Sequence, residues 1–221
     1  MGARIRLLVV DDDAAVRQAY RTMFAQHPAV ILVGEASDGS EVTAAYARTR
    51  PDVVLMDLQM PVVSGVAATR ELCGRWPDAT VVVMTTFSTR DHVVAALRAG
   101  ASGYLVKGVN ATGIAVALRQ AIAGEMPLSS AVRRELVSTV MTAPESAGHT
   151  LTPREVELVR WLAHGLSNAQ IATRMHLSEG SVKQYVARIG DKWGVRARTQ
   201  ILIRGIQLGI VDPDTLSSSP S

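Results

Sequence analysis

Hydrophobic and polar positions divide the chain into two regimes. Up to about residue 124, short apolar runs alternate with segments whose apolar positions recur at helical spacing; after about residue 150 only the helical spacing remains. The runs are IRLLVV (Ile5–Val10), VILVGEA (Val30–Ala36), DVVLM (Asp52–Met56), TVVVMT (Thr80–Thr85) and GYLV (Gly103–Val106). They are short, nearly continuous and rich in valine, as expected of strands buried on both faces of a parallel sheet. The intervening spacing predicts helices over about 13–27, 39–48, 64–75, 90–99 and 110–124. Five β/α repeats joined by short right-handed crossovers give an α/β fold, a doubly wound five-stranded parallel sheet with helices on both faces.

Pro127 and a stretch of small and polar residues end this pattern. Ser129 to Met141 has a serine cap and the spacing of one helix, and TAPESAGHT (142–150) reads as a mobile linker. Beyond it, TPREVELVRWLAHG carries a Thr152 cap, Pro153 at the first helical position, Glu155 in the capping-box place and Gly165 as a stop. SNAQIATRMH, capped by Ser167, and SEGSVKQYVARIGDKWG, capped by Ser178, follow, and RTQILIRGIQLGI forms a fourth helix with a strongly apolar face. The expected organisation is an α/β domain over 1–124, a linker over 125–150, a small all-α four-helix domain over 151–212 and a disordered tail over 213–221.

Composition narrows the class. Apolar residues make up 48% and charged residues 19% of 221, enough for two domains that each bury a core. The N-terminus reaches its acidic cluster too soon for a signal peptide, and no apolar run approaches the roughly 20 residues that span a bilayer. The single cysteine, Cys73, is expected as a small core or boundary residue, and the whole points to the cytoplasm. Residues 1–149 hold 14 Lys+Arg and 14 Asp+Glu, and residues 150–221 hold 9 and 6, so the formal excess of +3 lies in the C-terminal third. That excess permits nucleic-acid binding there without establishing it.

In such a sheet, ligands collect outside the carboxyl ends of the strands. Those ends carry Asp11 and Asp12, Asp57, Thr85 and Thr86, and Lys107. Three carboxylates held together repel unless a cation lies among them, and a hard divalent ion such as Mg²⁺ takes oxygen ligands while keeping several waters. An aspartate can itself be the nucleophile in phosphoryl transfer. The remaining phosphoryl oxygens then need counter-charges, which Mg²⁺, the Lys107 ammonium and the Thr85 hydroxyl could supply. Asp13, third in its row, is expected to cap the first helix.

In order and spacing, VVDDD, DVVLMDLQMP with SG soon after, MTTF and GYLVKG resemble the flavodoxin-like receiver domain of a two-component response regulator across about residues 4–124. The resemblance implies that Asp57 is the phosphoacceptor, that Asp11, Asp12, Asp57 and the Gln59 backbone carbonyl hold Mg²⁺, that Thr85 is the switch hydroxyl, Tyr104 the switch aromatic and Lys107 the phosphate-binding cation. Gly108 stands where the family often has an acidic residue. Phosphorylation would draw Thr85 and Lys107 inward and let Tyr104 turn into the vacated space. The surface of Arg90 to Ala99, Gly103 to Val106 and Asn110 to Gly124 would then become a dimerising face.

SNAQIATRMHLSEGSVKQYVARIGDKWG has the length and punctuation of a helix-turn-helix, with Leu177 plugging the core between the helices. The second helix would enter the major groove, presenting Lys183, Gln184, Ala187 and Arg188, with Gln184 best suited to an adenine edge. Ser167, Asn168, Ser181 and Lys192 would contact the DNA backbone. Residues 151–211 resemble the DNA-binding domain of the LuxR or NarL/FixJ type through LTPRE, SN-x-x-IA, LS, VK, K-x-GV and R-x-Q. Three departures stand out: Tyr185 in place of a usual histidine, Gly180 and Gly190 inside a helix at roughly 1 kcal/mol each relative to alanine, and Trp193 for a smaller apolar residue. In that family the last helix, here Thr199 to Gly209, pairs two subunits; packing within one subunit accounts for part of its apolar face.

Together these readings describe a transcription regulator and not an enzyme, phosphorylated on Asp57 by a sensor histidine kinase and binding double-stranded promoter DNA as a homodimer. Two other readings share some residues: a regulator whose unphosphorylated receiver answers a ligand or protein partner, and a phosphohydrolase using an aspartyl-phosphate. The hydrolase would want an acid two residues beyond the nucleophile, where Gln59 stands.

Overall fold

A computed structural model describes residues 3–86, 90–128, 132 and 151–211. Strands β1 (Ile5–Val10), β2 (Val30–Ala36), β3 (Val53–Asp57), β4 (Val81–Thr85) and β5 (Gly103–Val106) form one parallel sheet in the order β2-β1-β3-β4-β5. Helices α1 (Ala14–Phe24), α2 (Val42–Thr49), α3 (Gly65–Arg75), α4 (Arg90–Arg98) and α5 (Ala111–Ile122) alternate with them, and a single 3-10 turn at Gly39–Glu41 precedes α2. The α/β expectation therefore holds. Alternate strand positions serve opposite layers: Leu8, Val10, Val54, Met56 and Val83 face Leu72 and Leu97, whereas Leu7, Val9, Leu55 and Met84 face Tyr20, Phe24 and Leu118. β3 and β4 are buried at every position. β2 departs from the expected burial on both faces, with Ile31 to Glu35 only half-buried, because it lies at the sheet edge.

Register fixes the functional edge. Val10 pairs with Met56, Asp57 with Met84, and Thr85 with Val106. The residues just beyond or at these strand ends, Asp11, Asp57, Thr85 and Lys107, therefore arrive side by side, next to the point where the strand order reverses between β1 and β3.

The described C-terminal residues form α6 (Pro153–Ala163), α7 (Asn168–Met175), α8 (Glu179–Trp193) and α9 (Arg198–Gln207). Thr152 and Glu155 close a reciprocal capping box on α6, Ser167 and Gln170 do the same on α7, and Ser178 caps α8. His176 adopts the left-handed conformation that ends α7, and Leu177 packs on the core as expected. The helix expected near 129–141 lies outside the described residues apart from Val132, and the linker 142–150 and the tail 213–221 lie wholly outside them. Among the described residues no helix is long and apolar enough to cross a membrane.

The apolar face of α9 is covered within its own chain. Ile201, Leu202, Ile203 and Ile206 are all buried, and α9 packs on α6, on α8 and on α4 of the first domain. Three consecutive side chains of α9 donate to main-chain carbonyls of that domain: Arg198 Nη1 to Gly124 (3.3 Å), Thr199 Oγ1 to Ala101 (2.7 Å) and Gln200 Nε2 to Arg98 (3.0 Å). The two domains are thus docked.

Candidate functional site

Asp11, Asp12 and Asp57 each offer a carboxylate oxygen, and these atoms all lie within 4.8 Å of one another. Asp11 and Asp57 are buried and Asp12 is exposed, so the cluster opens to solvent on one side. The Asp13 amide donates to Asp11 Oδ1 (3.0 Å) and the Gln59 amide to Asp57 Oδ2 (3.1 Å), which orients both buried carboxylates. Asp13 itself accepts from the Ala15 amide at 2.7 Å, the expected helix cap. Arg17 Nη1 donates to the Asp11 and Asp12 carbonyls and secures the turn after β1.

Lys107 completes the constellation. Its Nζ donates to Asp11 Oδ2 (2.7 Å) and lies 3.0 Å from Asp57 Oδ1, bridging two strand ends. Burial opposes charge on the ammonium, but the bonds to Asp11 and Asp57 outweigh it and raise its pKa. Burial likewise pushes the Asp57 carboxyl up, and Lys107 offsets only part of that rise. Three carboxylates against one ammonium leave a formal excess of two negative charges in an all-oxygen donor set. That set fits a hard divalent cation.

Thr85 is buried at the end of β4, where its carbonyl accepts from the Lys107 amide at 2.7 Å. The Tyr104 main chain forms a bridge to Leu128, and its ring is fully buried, packed in the core. Its hydroxyl has no hydrogen-bond partner among the described residues, and burial pushes it up to about 12.

Two residues shape this edge in ways that the sequence did not assign to them. Asp38 accepts from the Ser40, Val62 and Val63 amides and so ties the turn after β2 to the loop that follows Asp57. SDGS reads as a local turn, and nothing in it announces partners 24 residues away. Gly65 packs so tightly on β3 that a Cβ there would lie 1.9 Å from the Asp57 carbonyl oxygen. Its only signal is the small residue pair Ser64–Gly65 at the start of α3.

On the second domain, α8 presents Lys183, Gln184, Ala187 and Arg188 outward and buries Val182 and Ile189. The Arg188 guanidinium stacks over the Tyr185 ring at 4.4 Å, so the aromatic at the histidine position supports a cation. Ser167 and Ser181 lie half-buried at the helix starts, Ser167 as a cap and Ser181 bonded to Ser178. Lys192 Nζ is held by Glu155 at 2.7 Å, and Asn168 is buried, accepting from Arg198 at 2.5 Å. Both bonds lie within the second domain, and those two side chains serve its fold.

The receiver pattern described as "Response regulator receiver domain" matches residues 7–119, and that described as "Bacterial regulatory proteins, luxR family" matches residues 149–204. The chain is 35% identical over 213 residues to the uncharacterized transcriptional regulatory protein YxjL of Bacillus subtilis, covering 94% of this chain and 98% of that one. It is 32% identical to the nitrate/nitrite response regulator protein NarL of Escherichia coli, covering 89% and 93%. Among solved structures, the response regulator ChrA of a heme-sensing two-component system matches with a TM-score of 0.52 at 32% identity, covering 94% of this chain and 98% of that one. RcsB, solved as two dimers bound to two parallel DNAs, shares the fold at a TM-score of 0.55 and 21% identity, covering 99% and 100%.

Proposed function

Because the chain belongs to the NarL/FixJ-type response regulators, a receiver domain joined to a LuxR-type DNA-binding domain, we propose that Asp57 is its phosphoacceptor and that phosphorylation controls promoter binding. Its family role is signal transduction and DNA binding and not catalysis of a metabolic reaction. The observation that carries the proposal is the Lys107 ammonium bridging Asp11 and Asp57 at the carboxyl edge of the sheet.

A sensor histidine kinase is the proposed donor. An Asp57 carboxylate oxygen attacks phosphorus, the P–N bond of the donor phosphohistidine breaks, and the released imidazole nitrogen takes up a proton. Asp11, Asp12, Asp57 and the Gln59 carbonyl would hold Mg²⁺, which when bound supplies positive charge to the phosphoryl oxygens. Lys107 turns from its two carboxylates to the phosphoryl group, and the Thr85 hydroxyl donates to it. Both sit at strand ends already in register with Asp57, so neither must travel far. The buried Tyr104 acts as a packed support beside β4, and its hydroxyl, without a hydrogen-bond partner among the described residues, is the polar group that a rearranged loop can satisfy.

On the output side, Gln184 reads a base edge, with Lys183, Ala187 and Arg188 beside it. Ser167 and Ser181 contact the DNA backbone, and Asn168 and Lys192 join them once released from Arg198 and Glu155. Val106 and Val116, exposed on β5 and α5, support a homodimer through that face. The cytoplasm, where such DNA lies, is the proposed site of action. Asp57→Ala should abolish labelling by acetyl phosphate in the presence of Mg²⁺; labelling that persists would move the phosphoacceptor elsewhere.

A further inference from the structure

A cavity of about 720 Å³ lies between the docked domains. Its walls carry five cations: Arg70 of α3 and Arg98 of α4 from the receiver, and Lys183, Arg196 and Arg198 from the DNA-binding domain. Among the described residues only Asp78 and Glu125 oppose them there. Among the described residues none of the five forms an ion pair within 4.0 Å. Like charges brought together from two domains repel, so docking carries an electrostatic cost that an anion in the cavity would remove.

Arg198 points to such a ligand independently. It is 93% buried, and among the described residues its Nε has no hydrogen-bond partner and its Nη atoms reach only neutral acceptors: the Gly124 and Leu166 carbonyls and Asn168 Oδ1. Burial pulls this guanidinium down to about 10, and Glu125 compensates only in part. A guanidinium taken out of water without an oxyanion partner is a costly arrangement.

We propose that this interdomain cavity is a binding site for a small phosphate-bearing anion with an attached ring, of nucleotide size, which staples the DNA-binding domain to the receiver. Guanidinium groups match the geometry of phosphate oxygens, and the volume falls within the roughly 300–1,000 Å³ usual for small-molecule sites. Pro77, Ala79, Ile122 and Val186 give the cavity an apolar wall against which a ring can lie. Since Lys183 and Ala187 of α8 line the same cavity, the bound anion holds that flank of the helix against the receiver. Weakened DNA binding is the consequence, and that half rests on the function proposed above; the binding itself does not.

The test separates the two. The full-length, unphosphorylated chain is titrated by calorimetry with adenosine 5′-diphosphate and with inorganic pyrophosphate, in EDTA so that no metal recruits phosphate to Asp57. Adenosine diphosphate should bind, more tightly than pyrophosphate, and Arg70→Gln with Arg98→Gln should weaken it by about tenfold or more through the loss of two oxyanion partners. Both arginines are exposed and their removal relieves repulsion, so the double variant should unfold no lower than the wild type without ligand. Asp57→Asn should bind as wild type does. Absence of binding, equal affinity in the double variant, or loss of binding in Asp57→Asn would each overturn the assignment, whatever the fate of the phosphorylation reading.

Discussion

Alanine at Gly65 and alanine at Gly74 are the same chemical change on the same helix, and the structure gives them opposite signs. A Cβ at Gly65 would meet the Asp57 carbonyl oxygen at 1.9 Å, the Asp57 carbonyl carbon at 2.9 Å and Leu58 Cα at 3.0 Å. All three are main chain, so no side chain can rotate away; either α3 lifts from β3 or the Asp57–Leu58 segment moves. Non-bonded heavy atoms rest at about 3.5 Å, so the overlap to be relieved is on the order of 1.5 Å. Overpacking in a well-packed core costs about 1–3 kcal/mol, and a conflict with backbone on both sides belongs at the upper end. The Gly65 amide bond to the Leu58 carbonyl, 3.0 Å in the structure, would be stretched by the same shift. At Gly74 a Cβ meets nothing within 4 Å, and alanine should gain up to about 1 kcal/mol from its better helix propensity.

The two variants should therefore differ by about 4 kcal/mol. At about 2–4 °C per kcal/mol for a chain of this size, thermal unfolding should fall by about 6–12 °C in Gly65→Ala and rise by about 2–4 °C in Gly74→Ala. A second readout isolates the site. Displacing a nucleophile by about 1 Å can cost on the order of a hundredfold in rate, so labelling of Asp57 by acetyl phosphate should slow markedly in Gly65→Ala and stay unchanged in Gly74→Ala. If both variants unfold together, or if Gly65→Ala is labelled at the wild-type rate, the close approach of α3 to β3 is not what holds Asp57 in place.

Removing the bridging cation with Lys107→Ala leaves Asp11 and Asp57 buried beside each other without their partner, which should cost about 1–3 kcal/mol; added Mg²⁺ should restore most of it in denaturant titrations, and no restoration would argue against a metal there. Acid should act through two carboxylates. The Ser40 amide bond, joined by those from Val62 and Val63, lowers the Asp38 carboxyl to about 2, and although burial works against the Glu155 charge, Lys192 and Thr152 outweigh it and lower that carboxyl too. Their stabilisation is full above the unfolded values of about 3.9 and 4.3 and is lost as pH falls through the lower folded ones, so Asp38→Asn should flatten the unfolding curve between about pH 4 and pH 2; an unchanged acid limb would remove Asp38 from that role. At the output end, Gln184→Ala should relax selection at one base position, at about 1–3 kcal/mol, as read by in vitro selection of bound duplexes; unaltered selection would assign base reading to another residue of α8.

The features legible in the sequence share a physical basis: each is enforced by its immediate neighbours. Valine runs mark strands because both faces of β3 and β4 are covered, and Thr152, Ser167 and Ser178 mark helix starts because a cap bonds within three residues. The carboxyl-edge constellation was legible too, since parallel strands alternating with helices must bring their ends together, and only the register that pairs Asp57 with Met84, one residue before Thr85, needed the structure. What stayed hidden depends on partners far along the chain. Gly190, counted from sequence as a weak point of α8, is a close approach, with a Cβ there lying 2.6 Å from the Val195 carbonyl oxygen, whereas a Cβ at Gly180 would meet only the Ser178 hydroxyl at an ordinary 3.7 Å and that glycine remains a plain helix cost. The apolar stripe of α9 announced that something covers it, and periodicity cannot distinguish a second subunit from α4, α6 and α8 of the same chain. Asn168 shows the same ambiguity for a polar group. At the start of α7 it has the chemistry of a DNA-backbone contact, yet here its amide oxygen holds the buried Arg198, which also donates to the Leu166 carbonyl of the same domain and to the Gly124 carbonyl of the receiver. Release of the domains would break the Arg198–Gly124 bond and leave the Arg198–Asn168 bond, which lies within the DNA-binding domain, so a DNA phosphate would have to compete for Asn168 with Arg198 and not with the receiver.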